Sequence, residues 1–324
     1  MNRFFCRAIV AVLLCWQTVG VGFEKVVIWG HKLHTHTHSY VHNGFFRAFQ
    51  YLGYPTYWLD NEDDISGFDF SNALFLTEGQ VDQKIPLRED AIYLTHNCLS
   101  TKYQGLKQCY IQVYTDDVLT RPNLVRAEPC IYFHLVDKGI FMPWATHLLP
   151  HEIEMNKQNL PHVKKERAVY WIGTIGEGVF GNCTEINPFR AACQENGIPF
   201  IAPQPSGTGI DENRHQQWIA SAYLAPAIVG EWQKRVGYIP CRIFKNISYG
   251  QLGVTNSYRV YELFERKIVY NPDPYQLFYD ARERSNTVTL EEIYELMDFV
   301  KTKHTYLNRV QTVLHFLKSI DYVQ

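Results

Sequence analysis

The chain has 324 residues, enough for two domains of ordinary size, each burying its own core. Its 31 basic and 33 acidic side chains leave a formal charge of −2 at pH 7, which gives no electrostatic footprint for a nucleic acid or an anionic membrane. An aromatic share of 15% excludes a disordered chain.

Residues 1–22 read as a secretory signal: Arg3 and Arg7 flank an apolar run over residues 8–16, and small residues follow around Val19 to Gly22. That places the mature chain in the secretory pathway or periplasm. Two other readings stand beside it, a short uncleaved anchor and a misplaced start ahead of a cytoplasmic domain beginning near Phe23. No other segment approaches the roughly 18 apolar residues of a membrane span. Of eight cysteines, Cys6 and Cys15 lie in the signal. The other six form an even set compatible with disulfides, with Cys98–Cys109 and Cys183–Cys193 as local pairs and buried free thiols as the alternative. Asn182 and Asn246 head formal glycosylation sequons, meaningful in a eukaryotic host.

Residues 25–29 form a short apolar strand ending at Gly30. From Val41 the period becomes helical, with Phe45, Phe49 and Leu52 on one face and a stop at Gly53. Residues 54–59 return to strand, so the opening is a βαβ unit. Strands over residues 73–77, 91–95, 109–114 and 130–135 continue it into a mostly parallel, Rossmann-like sheet. Residues 142–167 carry Pro143 and Pro150, little periodicity and then a charged run, which reads as a linker. A second sheet starts at residues 168–172 and runs into a glycine-rich exit of Gly173, Thr174, Gly176 and Gly178, where backbone can approach a phosphate. Helices over 187–196 and 214–221 and strands over 198–202 and 224–229 follow, and residues 289–299 and 306–320 are closing amphipathic helices.

Residues 30–42 hold five of the thirteen histidines. His34, His36 and His38 alternate, so an extended chain puts them on one side, and the sequence leaves three uses open. One is a base or acceptor contact, with His36 and His38 the choices; one is a transition-metal site on His34, His36 and His38; one is a polar surface loop. For a metal hydrolase, His96 and His134 are the candidate further ligands at later strand ends, with no carboxylate expected beside them.

Residues 238–264 organise the second half. Pro240 suits the first turn of a helix that ends at Gly250, residues 252–255 form a buried strand, and Asn256 and Ser257 are good N-caps for a helix over 258–264. Arg242 and Lys245, three apart, can face one pocket, and cations beside a helix N-terminus suit phosphate.

This stretch resembles the donor-site motif of GT-B glycosyltransferases, particularly the CgeB-like group, through Arg242, Phe244, Gly250 and the turn of Val254, Thr255 and Asn256. Trp144, Thr146, Leu148, Leu149 and Pro150 resemble the segment ahead of the second domain in the same group. Lys245 departs from the pattern, standing where the group has a glutamate that holds the donor ribose; as a cation it is read as a diphosphate contact. The resemblance implies an α/β chain of two Rossmann-like domains facing a cleft, with C-terminal helices crossing back. Residues 24–150 would be the acceptor domain, 151–167 the linker, 168–290 the nucleotide-sugar domain and 291–324 the closing helices. It implies sugar transfer from a nucleotide-sugar co-substrate to a hydroxyl of a glycan or glycoconjugate, with no cofactor or metal required and no nucleic-acid partner. Arg242, Lys245, Gly173, Thr174, Gly176, Gly250, Asn256 and Ser257 would hold the donor, and His36 or His38 would act as base. The competing classes are a metal-dependent hydrolase on His34, His36 and His38, and an inactive carbohydrate-binding relic of the fold.

Overall fold

The structure is a computed structural model that describes residues 22–32, 37–97, 101–115, 119–203 and 212–324. Nearly all of the expected signal segment lies outside these residues, as do His34, His36 and Cys98.

The first half builds one eight-stranded sheet from β1 (Lys25–Trp29), β2 (Thr56–Leu59), β3 (Ala73–Glu78), β4 (Ile92–His96), β5 (Lys107–Gln112), β6 (Leu124–Glu128), β7 (Ile131–His134) and β8 (Gly139–Phe141). The order is β2-β1-β3-β4-β5-β8-β7-β6. The unbroken apolar runs of β1, β3 and β4 are explained by burial on both faces. Val26, Ile28, Leu74, Leu76, Ile92 and Leu94 point into one core, while Val27, Trp29, Phe75 and Tyr93 point into the other. The first five strands and β8 run parallel, as a mostly parallel sheet requires; β7 and β6 are antiparallel and form a hairpin at one edge. Helix α1 (Thr37–Tyr51) covers one face and starts four residues ahead of the expected Val41, which takes His38 out of extended chain and into a first helical turn.

The second half contains α2 (Pro150–Asn159), β9 (Val169–Tyr170), α3 (Cys183–Glu195), β10 (Phe200–Ile201), α4 (Glu212–Ser221), α5 (Glu231–Arg235), α6 (Cys241–Ser248), β11 (Val254–Thr255), α7 (Tyr258–Leu263), β12 (Val269–Tyr270), α8 (Pro274–Ser285), α9 (Leu290–Lys303) and α10 (Tyr306–Ser319). Its strands are short, but the segment after α4 joins them: Val169 bridges to Leu224, and Ala227 N donates to Val254 O at 2.8 Å. The parallel sequence is therefore β10, β9, residues 224–227, β11, β12. The stretch expected as linker carries α2, which starts with Pro150 in its first turn and has Leu149 N capped by Glu152 at 2.8 Å.

Only one of the two closing helices crosses back. Ile293, Leu296, Met297 and Val300 of α9 stay in the second core, while Tyr306, Val310, Val313, Phe316 and Leu317 of α10 complete the first. Gly44 of α1 makes this possible, because a Cβ there would overlap the Tyr306 ring. Three expectations are overturned locally. Cys183 and Cys193 are free thiols on one helix, ten residues and hence ~15 Å apart, too far for a disulfide. The two sequon asparagines are buried and spent on the fold, Asn182 Nδ2 on Thr174 O and Asn246 Nδ2 on Ala225 O.

Candidate functional site

Two of the expected donor-side residues meet directly. Arg242, in the first turn of α6, donates from Nε to Ile172 O at 3.0 Å and lays its guanidinium 3.8 Å above the Trp171 ring. Its Nη2 fills the space where Gly173 lacks a side chain; Gly173 has φ +135, so both backbone and space require glycine. Burial holds Arg242 below its ordinary pKa.

Other expected donor contacts serve the fold itself. Gly176 N donates to Asn182 Oδ1 at 3.0 Å, so that amide is taken, while Thr174 is exposed in the same loop. Asn256 turns both ends of its amide to Val229, accepting from its N and donating to its O, each at 2.9 Å. Ser257 caps no amide with its hydroxyl, and α7 behind it has six residues, too few for the dipole of a long helix. Gly250 has φ +87 and ends α6 beneath Leu160.

Lys245 lies one turn beyond Arg242 and faces the other half of the molecule. Its Nζ sits 3.8 Å from the Tyr40 ring centroid, 3.6 Å from Glu212 Oε1 and 3.4 Å from His215 Nδ1. Glu212 Oε1 also accepts from Tyr249 at 2.8 Å and lies 3.4 Å from His147 Nε2. Burial alone would raise the Glu212 carboxyl, yet Lys245 and the flanking histidines bring it down to about 2. Burial lowers Lys245 and takes His147 to about 4 and His215 to about 2. The cluster is thus one cation and one anion among neutral imidazoles. Tyr40 ties it to α1, since its hydroxyl accepts from His147 N at 2.9 Å.

Two residues before Tyr40, His38 belongs to a second cluster at the carboxyl ends of β1, β3 and β4. His31 Nε2 and His38 Nδ1 both reach Glu78 Oε2, at 2.6 and 2.9 Å. Asn97 Nδ2 lies 2.7 Å from His38 Nε2 and donates to Glu78 Oε1 at 3.3 Å. With Nε2 accepting from the amide, His38 presents its proton at Nδ1 to the carboxylate. Burial would raise Glu78, but the hydrogen bonds from His31, His38 and Asn97 hold it well below the usual carboxylate range. His31 and Asn97 both adopt left-handed backbone, φ 59 and 65, directly after their strands. Behind them, His42 donates from Nδ1 to Gly30 O at 2.8 Å, so its Nε2 accepts from His96 Nε2 at 2.7 Å. His96 Nδ1 is then buried without a partner among the described residues. Burial takes His42 to about 3 and His96 well below its ordinary value, so both stay neutral.

The sequence reading had no acidic side chain in this cluster, yet Glu78 closes β3 in register with His96 on β4. The signal was a repeat: β3 ends Leu-Thr-Glu and β4 ends Leu-Thr-His. His134 is elsewhere, in the β6–β7 hairpin, bound to Pro122 O. A groove of about 890 Å³, bordered by that hairpin, α7 and the α9–α10 corner, contains none of the residues of either cluster.

No family model matches the chain, and no curated protein matches it. Solved structures do. AviGT4, a glycosyltransferase involved in avilamycin A biosynthesis, is 12% identical with a TM-score of 0.56 over 92% of this chain and 98% of its own. An α-glucosyltransferase in complex with UDP is 8% identical, TM-score 0.54, over 90% and 99%. The α,α-trehalose 6-phosphate synthase from Burkholderia multivorans is 11% identical, TM-score 0.54, over 93% and 99%. The chain has the GT-B glycosyltransferase fold. Among the described residues no helix is long and apolar enough to cross a membrane.

Proposed function

We propose that this chain transfers a glycosyl group from a nucleotide-sugar donor to a hydroxyl of a glycan or glycoconjugate. The observation that carries the reading is the Arg242 guanidinium, fixed against Gly173 by a carbonyl and an indole, with no carboxylate paired to it among the described residues. A desolvated cation with only neutral partners is costly, and a diphosphate beside it would offset that cost. Lys245 stands one turn on, in place of the acidic residue of the CgeB-like pattern, and Thr174 rims the same strand exit.

The acceptor side would use His38. Its Nδ1 proton is held by Glu78, so Nε2 is the basic nitrogen, reached by exchanging the Asn97 contact for an acceptor hydroxyl. The acceptor O–H gives its proton to Nε2 as its oxygen bonds to the anomeric carbon. The bond from that carbon to the diphosphate oxygen breaks, and its electron pair leaves with the diphosphate toward Arg242 and Lys245. His36, outside the described residues, is the second candidate for the base. Gly250, Asn256 and Ser257 would shape the donor pocket through the backbone they hold.

The test is thermal unfolding of the chain with UDP, GDP, CMP and ADP, UDP first because a structural neighbour is seen with it. A nucleotide at a hundredfold excess over its dissociation constant adds about 2.7 kcal/mol to the unfolding free energy. The shift should vanish in Arg242→Ala. Absence of a shift with every nucleotide refutes the reading.

A further inference from the structure

We propose that His31, His38 and Glu78 bind one divalent transition-metal ion, and that this ion switches off the base assigned to His38. The second half rests on the transferase reading above; the first does not.

Nε2 of His31, Nδ1 of His38 and a Glu78 carboxylate oxygen all lie within 4.8 Å of one another. In a tetrahedral zinc site, with bonds of about 2.0–2.2 Å, ligand atoms sit ~3.3 Å apart. The present separations of 2.6 and 2.9 Å to Glu78 Oε2 therefore need to open by well under ~1 Å, with the metal taking the place of two N–H protons. The ligands are held from outside as metal ligands usually are. Asn97, 2.7 Å from His38 Nε2, turns its amide over so that Oδ1 accepts the proton carried there when the metal binds, and Ser39 Oγ donates to His31 O at 2.7 Å. The adjoining His42 ring does not repel a cation: it donates at Nδ1 to Gly30 O and accepts at Nε2 from His96, so it is neutral. Two imidazoles and one carboxylate are a donor set that zinc takes, and three protein ligands leave a fourth position for water.

The consequence for His38 follows from its tautomer. A neutral imidazole that gives its Nδ1 lone pair to a metal carries its one proton on Nε2. That nitrogen then has nothing with which to accept the acceptor proton.

The experiment is a zinc titration of the whole, chelator-stripped protein against a chromophoric chelator, with bound zinc counted by mass spectrometry. One zinc per chain is expected. Asn97→Ala should weaken binding roughly 10–100-fold, and Glu78→Gln and His31→Gln by more than that. His134→Gln, whose ring sits in the distant hairpin, should bind like the parent. A parent protein that takes up no zinc overturns the proposal, and so does undiminished affinity in both Glu78→Gln and His31→Gln. Nucleotide shifts are read separately: zinc binding without them keeps the metal site and removes its role on the base, whereas nucleotide shifts without zinc remove the metal site alone.

Discussion

Acid should unfold this protein well above the carboxylate range, and the reason is its buried neutral histidines, three of which lie outside the His31, His38 and Glu78 cluster. His147, His215 and His304 are 3%, 9% and 4% exposed, and burial brings them to about 4, about 2 and well below the ordinary value of 6.5. Glu212 favours the charged form of the first two, at 3.4 and 3.8 Å, but Lys245 opposes it and desolvation dominates. Arg309, 3.0 Å from His304 Nδ1, pushes the third the same way. The unfolded chain takes up these protons near pH 6.5 and the native state refuses them. Their stabilisation is therefore present above pH 6.5 and is lost as pH falls below it. Between pH 7.5 and 5.5 each histidine loses about 1.4 kcal/mol, so these three lose about 4 kcal/mol together, and His42 and His96, kept neutral by burial in the same way, bring the drop to about 7 kcal/mol. That is a large part of an ordinary 5–15 kcal/mol. Urea unfolding followed by tryptophan fluorescence at pH 7.5, 6.5 and 5.5 measures it. His304→Gln, which keeps an acceptor for Arg309, should remove about a fifth of the drop. A midpoint that stays level from pH 7.5 to 5.5 would show that these rings are protonated in the native state and refute the reasoning.

Two substitutions test the close approaches. Gly173→Ala puts a methyl group where the Arg242 guanidinium lies and should abolish the nucleotide shift, whereas Gly178→Ala, with φ +78 but open space, should keep it; equal loss in both sinks the steric account. Gly44→Ala should cost about 1–3 kcal/mol in urea unfolding by pushing α10 off α1. Adding Tyr306→Ala should give a non-additive double variant, and strict additivity would separate the two residues.

Much of the fold was legible because it rests on local patterns. The βαβ opening, the apolar strands and the two closing helices follow from period and turn chemistry. The β6–β7 hairpin was hidden because an apolar run such as Ile131–His134 has no mark of strand direction. Helix α2 was missed because its ten residues bury Ile153 alone and so leave no apolar period to read. In the site, Arg242 and Gly173 were found separately, each by local chemistry, and only the fold brings them together. Glu78, Asn97, Glu212 and Tyr40 were missed because their roles depend on partners from dozens to more than a hundred residues away. The side-chain contacts of Asn256 were hidden for the converse reason: a good cap residue in a turn gives no sign that Val229 will claim its amide.

The return of α10 onto α1 has a consequence for the order of events during synthesis. The first sheet is complete at β8, yet its core lacks Tyr306, Val310, Val313, Phe316 and Leu317 until α10 has been made, after every element of the second half. A domain that forms from its own residues can fold as it leaves the ribosome. Here the opening half must wait, its α1 face bare, until α10 follows the second half out of the ribosome, and its native assembly is an event of high contact order.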